Sequence, residues 1–456
     1  MDADFVRKLE ELANAFLPFA TLYAVGGCVR DGLLGVECYD VDVCSQLEVK
    51  EVKNILLNTD FEVSAKNLRM GTVYITSKDF SVEYTTFRRD SYDKSSGAHS
   101  PKDVVFTDDI TLDARRRDFA CNAVYYDLAR HKIVDVIGGV EDIKNKILRT
   151  ADIPEEVFEA DGLRILRLVR FYAELGFEIE PDTLKVAKEN AWRVGEIAVE
   201  RVRDELNKIF VADTRHEELD TRNGHVRGFL LLDELGLVDL LLGELVSLKG
   251  LEQPKQYHLY DAFGHSVKAF EVAPPHLRWA SLLHDVGKAQ SVKECGRMYM
   301  HPQIGAKMAS DICRRLKFSN AERERIVEIV KNHMFDLEGK TSRSKLRKFI
   351  VEHRDIIEDL CDFKDIDGLA ACGELTRPNR LREEWEFMKS EGVPTSVKEL
   401  CVNGADLVEM GIESKYRSAL LKDLLIETAM NPTLNDRNRS INFLKNKQKT
   451  IKIDIK

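Results

Sequence analysis

The sequence predicts an α+β head followed by an all-α neck, body and tail. Two observations carry this reading. Strand-like runs are confined to residues 1 to about 145, where they alternate with helical stretches. From about 146 onward strand signals nearly vanish and apolar residues recur at helical spacing. Pro and Gly breaks fall near 180, 254, 274, 302, 377 and 394. A length of 456 residues allows several domains and a sizeable core. The expected divisions are a head over 1–145, a neck over 146–212, a body over 213–257, a further helical domain over 258–375 and a tail over 376–456.

The bulk properties exclude some classes. Charged residues make up 32% and hydrophobic ones 44%, as in ordinary globular proteins. A net charge of −10 argues against a chain that is basic throughout, yet a local basic stripe suffices for nucleic acid. The nine cysteines form no Cys-x-x-Cys pair, and Met1-Asp2-Ala3-Asp4 is acidic with no apolar leader. Both features predict a reducing cytoplasm in which cysteines act as small hydrophobes. The most apolar stretch, 229–246, is interrupted by Asp233, Glu234, Asp239 and Glu244, and reads as an amphipathic helical pair with no membrane span. The Lys-rich end, 445–456, is expected to fray.

In the head, Leu22-Tyr23-Ala24-Val25 reads as a strand running into Gly26-Gly27, and 31–35 as the first turns of a helix. Backbone at paired glycines can approach a phosphate, and a helix start offers N–H groups to it. Val41-Asp42-Val43 reads as a second strand, so alternation puts Asp40 and Asp42 on one face. Two such carboxylates hold the hard cations used in phosphoryl transfer. Residues 72–75 and 81–87 read as a hairpin around Ser77-Lys78-Asp79, and 122–127 with 132–135 as another.

A lone Gly-Gly or Asp-x-Asp fits a plain strand–turn–helix with surface aspartates. The combination Gly-Gly-x-Val-Arg-Asp followed by Asp-x-Asp is far more specific. It resembles the active-site signature of the tRNA nucleotidyltransferase and poly(A) polymerase superfamily, on a polymerase-β-like palm. The resemblance implies that Asp40 and Asp42 hold Mg²⁺, that Gly26, Gly27 and Arg30 meet the triphosphate, and that Glu83 is a candidate third carboxylate. Arg115-Arg116-Arg117-Asp118-Phe119 with Asn122 resembles the family's triphosphate and ribose element, although Ala120-Cys121 replaces the commoner Thr-Ile. Arginine suits a triphosphate because its planar fork binds oxygens bidentately. The polar stretch between Phe87 and Asp113 resembles the flexible loop of complete CCA-adding enzymes, which CC-only relatives lack.

Asp161, Arg164, Arg167 and Arg170 recur every third residue, which on a helix makes a slowly winding stripe. By spacing alone this is equally an amphipathic helix with exposed arginines. Residues 159–167 resemble the family's base-selecting motif, with Ala160 in place of the usual Glu. The resemblance implies that Asp161 and Arg164 read the incoming base, and Arg167 and Arg170 are expected as further nucleotide-binding residues. A carboxylate accepts from the amino group shared by C and A, and guanidinium donates to ring acceptors. Glu200-Arg201 resembles a further motif that steadies this region.

In the helical body, His265, His284-Asp285, His301, His333 and Asp367 occur in an order that resembles the HD phosphohydrolase domain. The resemblance implies a divalent metal on His265, His284, Asp285 and Asp367, with His301 and His333 available to a second. Imidazole with carboxylate suits Mn, Ni, Fe or Zn better than Mg. Lys288 is expected to neutralise a substrate phosphate. The segment 402–432 resembles a tRNA-binding tail, with Lys415, Arg417, Lys422, Arg437 and Arg439 as phosphate contacts. The expected function is template-independent CCA addition to tRNA from CTP and ATP by a monomer or homodimer without a membrane partner. The rivals are an A-adding enzyme or poly(A) polymerase, and an RNA-binding HD phosphodiesterase with an inactive head.

Overall fold

The computed structural model describes residues 3–38, 40–91, 103–215, 219, 221–256, 258–375 and 378–453. It forms two compact units, Met1–Gly243 and Glu244–Lys456. The division falls inside the segment 213–257 that the sequence suggests as one body.

The first unit opens with α1 (Ala3–Phe16), then β1 (Tyr23–Val25), α2 (Gly27–Leu34), β2 (Asp42–Ser45) and α3 (Val49–Leu56). Next come β3 (Glu62–Asn67), β4 (Thr72–Ser77), β5 (Phe80–Thr86), β6 (Arg88–Ser91) and β7 (Asp103–Phe106). After α4 (Ile110–Arg115) follow β8 (Tyr125–Asp127), β9 (Lys132–Val134) and α5 (Gly139–Asn145). Seven strands form one sheet in the order β3-β4-β5-β2-β1-β8-β9. Both expected hairpins are present, as β4–β5 and β8–β9. The decisive pairing is β2 alongside β5, parallel, with Asp42 opposite Glu83. Beneath it Val25, Cys44, Phe87, Ala114 and Tyr125 pack into a buried cluster. The polar stretch after Phe87 is not a loop throughout: β6 and β7 pair at its root. Residues 92–102, the rest of the expected flexible loop, lie outside the described residues.

Among the described residues, only the strands β10 (Ile147–Leu148) and β11 (Glu178–Ile179) interrupt the helices that follow. These are α6 (Pro154–Ala160), α7 (Leu163–Leu175), α8 (Pro181–Glu189), α9 (Val199–Phe210), α10 (Gly224–Glu234) and α11 (Leu237–Val246). The apolar stretch 229–246 is thus the expected helix pair, with α11 kinked at Leu242 (φ −136°).

The second unit contains α12 (Ala262–Val272), α13 (Arg278–Leu283), α14 (Lys288–Cys295), α15 (His301–Arg315), α16 (Asn320–Asn332) and α17 (Arg343–Glu352). It continues with α18 (Ile357–Cys372), α19 (Arg380–Ser390), α20 (Gly404–Glu409), α21 (Ser414–Met430) and α22 (Arg437–Ile453). Sequence devices set several starts. Ser319 and Glu322 form a capping box on α16, and Asn403 and Asp406 another on α20. Within the basic stretch 445–456, α22 extends to Ile453, and residues 454–456 lie outside the described residues.

Candidate functional sites

At the head site, β1 ends where Gly26 turns the chain with φ 85° and ψ −143°, a conformation that side-chain-bearing residues rarely adopt. Asp42 Oδ2 lies 3.6 Å from where a Gly26 Cβ would stand. Asp40 and Asp42 are both exposed, but β2 begins only at Asp42. Asp40 therefore sits in the lead-in to the strand rather than on it, which corrects the simple alternation argument. Glu83 stands opposite Asp42 and is salt-bridged to Lys66. Partial desolvation, then Glu83 and Asp40, push Asp42 up to about 6. Three mutually repelling carboxylates with oxygen-only donors fit a hard, hydrated divalent cation.

Beside them a chain of charged groups runs from α2 to α7. Arg30 is 4% exposed and donates to Asp31 at 2.8 Å and to Asn122 Oδ1 at 2.7 Å. Asn122 donates to Asp118 Oδ1 at 3.2 Å. Arg167 donates to Asp118 Oδ2 through Nε at 2.7 Å, and through its Nη2 as well. Burial alone would raise the Asp118 pKa. The Arg167 guanidinium outweighs it and holds the carboxyl well below the usual range.

Arg117 is placed by a residue that sequence reasoning missed. Asp113 is fully buried and accepts from four donors: Arg88 N at 3.2 Å, Arg116 Nε at 2.7 Å, Arg117 Nη2 at 3.1 Å and Tyr125 Oη at 2.8 Å. Burial pushes its pKa up, but Arg116 and Arg117 prevail and hold it at about 2. The sequence signal was its spacing, three and four residues ahead of two arginines on a helix.

The neck residues do not form one helical stripe. Asp161 has extended backbone (φ −151°, ψ 107°) and separates α6 from α7. Freed from the helix, its Oδ1 accepts from Leu163 N at 3.0 Å and its Oδ2 from Arg201 at 3.0 Å. Arg201 thus meets the residue it was expected to steady. Arg164 donates to the Arg116 carbonyl at 2.6 Å and the Val157 carbonyl at 3.3 Å. Arg170, expected at the nucleotide, is held by the neck helices. It is 6% exposed, donates to Glu205 at 3.0 Å and lies 3.7 Å from Glu174.

In the second unit the expected histidines and aspartates converge. His265 Nε2 lies 3.1 Å from His284 Nε2 and 2.9 Å from Asp367 Oδ1. His301 Nε2 lies 3.1 Å from His333 Nε2 and 3.3 Å from Asp285 Oδ1. The other oxygen of Asp285, Oδ2, is 3.1 Å from His284 Nε2. The six residues therefore make two three-membered clusters, with Asp285 touching both. Close backbone packing allows this: a Cβ on Gly287 would lie 2.3 Å from the His301 carbonyl oxygen.

Nδ1 of His284, His301 and His333 each sits 2.6–2.7 Å from the carbonyl three residues back. Those contacts place the ring N–H on Nδ1 and leave Nε2 as a lone pair. The Nε2 lone pairs of His301 and His333 thus face each other at 3.1 Å and repel unless a proton or a cation lies between them. Burial would lower the His284 pKa, yet Asp285 and Asp367 raise it to about 10, so without a metal this imidazole takes a second proton on Nε2, in the place a cation would occupy. The donor set fits a divalent transition metal. Lys288 lies 2.5 Å from Asp285 Oδ2 and donates to Gln253, so it is committed to the cluster rather than standing free for a phosphate. His258, also missed from sequence, meets the His265 ring edge-on at 4.9 Å.

In the tail the basic residues have local partners. Lys415 lies 3.1 Å from Glu413, Arg417 donates to the Ile412 carbonyl at 2.8 Å, and Arg437 is salt-bridged to Asp406.

A head with a Gly-Gly turn and facing carboxylates, joined to a separate His/Asp centre, defines a nucleotidyltransferase that carries an HD domain. Family comparison agrees: residues 22–149 match the Poly A polymerase head domain and 257–372 the HD domain. Residues 176–221 match the probable RNA and SrmB-binding site of polymerase A. The A-adding tRNA nucleotidyltransferase of Deinococcus radiodurans is 32% identical, over 78% of each chain. The CCA-adding enzyme of Leuconostoc mesenteroides is 36% identical over 43% of this chain and 48% of its own, so this match spans about half that relative. The crystal structure of the Bacillus stearothermophilus CCA-adding enzyme with CTP covers 100% of both chains at 24% identity and a TM-score of 0.69. The chain belongs to the tRNA nucleotidyltransferase family. Among the described residues, no helix is long and apolar enough to cross a membrane.

Proposed function

We propose that this enzyme adds C, C and A to the 3′ end of tRNA from CTP and ATP in the cytoplasm, without a nucleic-acid template, releasing pyrophosphate. The observation that carries the reading is the carboxylate pair Asp42–Glu83 set directly against the Gly26 turn. Asp40 and Asp42, with Glu83 beside them, would hold Mg²⁺, which neutralises developing phosphate charge and acidifies the attacking hydroxyl. The backbone at Gly26 and Gly27 approaches the triphosphate, and Arg30 and Arg117 orient it. Asp118 and Asn122 fix Arg30 and Arg167 and border the ribose. The tRNA 3′-hydroxyl attacks the α-phosphate in line and pyrophosphate departs.

Asp161 and Arg164 select the base. Asp161 accepts from the exocyclic amino group of C or A, and Arg164 keeps N–H groups beyond those bound to carbonyls. U and G offer a different pattern. In the HD domain, His265, His284 and Asp367 on one side of Asp285, and His301 and His333 on the other, would hold Mn, Ni, Fe or Zn for phosphohydrolysis. The arginines and lysines of 415–439 are the proposed contacts to tRNA phosphates.

A second reading is an A-adding enzyme. It is favoured by the D. radiodurans relative, whose match spans far more of this chain than that of the L. mesenteroides enzyme. Single-nucleotide assays decide between them. Transcripts lacking CCA, transcripts ending in CC and an unrelated RNA are each offered CTP and ATP. Incorporation of C into the first supports CCA addition; A addition to CC ends alone supports the second reading.

A further inference from the structure

Phe171 lies in α7, the helix that bears Arg164, and is 6% exposed. The guanidinium carbons of Arg30, Arg167 and Arg170 stand 5.2, 5.3 and 4.5 Å from its ring centroid. Phe119 meets the ring edge-on, with centroids 5.7 Å apart and planes at 84°. A buried phenylalanine usually packs against aliphatic groups. Here three cations gather on one ring, and their mutual repulsion has to be offset. The negative ring faces do part of this, and Asp31, Asp118 and Glu205 do the rest.

The three guanidiniums lead in different directions. Arg30 belongs to α2, directly after the Gly-Gly turn, and reaches Asn122. Arg167 reaches Asp118. Arg170 reaches Glu205 on α9, the helix whose Arg201 holds Asp161. One ring therefore lies where the phosphate-side, ribose-side and base-side elements meet.

We propose that Phe171 is a positioning residue for nucleotide binding, its ring fixing Arg30 and Arg167 so that the base-selecting end of α7 keeps register with Gly26–Gly27. The inference rests on the nucleotidyl-transfer reading above. It acts through the quadrupole of the ring as well as its bulk, and this separates it from ordinary core packing.

The test compares F171L and F171M, which keep apolar bulk, with F171Y, which keeps the ring. Equilibrium dissociation constants for CTP and ATP are measured on each folded variant, with thermal melting alongside. The expected result is a Kd raised about tenfold in F171L and F171M and restored to within about twofold in F171Y. Unchanged Kd in F171L or F171M, whatever their melting temperature, overturns the inference, as does equal weakening in F171Y. Extension of tRNA by the unaltered enzyme is read separately. An enzyme that binds CTP but extends no tRNA breaks the functional reading, while the Kd comparison still decides the role of Phe171.

Discussion

Around Gly26 the carboxylates Asp40 and Asp42 stand open to solvent, whereas the HD cluster is closed to it apart from the partly buried Asp367. His265, His284 and Asp285 are each at most 1% exposed. The donor chemistry differs in the same direction. The head offers oxygen alone, with partial desolvation and then the neighbouring carboxylates pushing Asp42 up to about 6. The second unit offers four imidazoles, and the Nδ1 atoms of His284, His301 and His333 are pinned to backbone carbonyls. An open oxygen site suits a labile, hydrated cation that arrives with a nucleotide and leaves with pyrophosphate. A closed nitrogen–oxygen site suits a resident metal. One chain thus carries two sites of different donor chemistry, and the proposed reading expects that each can be broken without the other.

The largest effect should come from D42A. Incorporation of C and of A into tRNA is expected to fall together by at least about a thousandfold. Phosphohydrolysis by the HD domain, assayed on a model phosphodiester, should stay within twofold. Loss of both activities would mean that the sites are not independent. Next, D285A should strip metal from both clusters because one carboxylate touches each. H284A should reduce metal content by less, and neither change should slow C addition by more than about twofold. Metal analysis of the purified proteins reads this directly.

Base choice gives a smaller effect. R164A should raise UTP and GTP incorporation relative to CTP and ATP by about 10–100-fold, the range expected for one lost base contact. Unaltered discrimination would move base selection away from the neck.

The smallest effect concerns stability. Asp113 is held at about 2, below its ordinary 3.8, so it stabilises the fold above about pH 4 and loses that contribution as pH falls toward 2. The shift corresponds to about 2 kcal/mol. D113N should therefore be less stable than wild type near neutrality, with the gap closing in acid. Urea titrations between pH 2 and 7 would show it, and a gap independent of pH would contradict the charge argument.

Local features were legible in the sequence and long-range ones were not. The Gly26 turn follows from two glycines after a strand, and both hairpins follow from alternation. The HD residues were found because their order is distinctive. The neck was read as a continuous stripe because spacing does not reveal that Asp161 and Gly162 break the helix. The Arg170–Glu205 pair was not legible because Glu205 lies on another helix, 35 residues away. Asp113 had a local signal in Arg116 and Arg117 but went unseen because its other donors, residues 88 and 125, are brought to it only by the folded strands.

The most direct test is stepwise extension of a tRNA transcript that lacks CCA, with CTP alone, ATP alone and both. The account predicts two C additions with CTP, none of consequence with ATP alone, and a complete CCA end with both. Failure to add C, with A added only to transcripts already ending in CC, would contradict it.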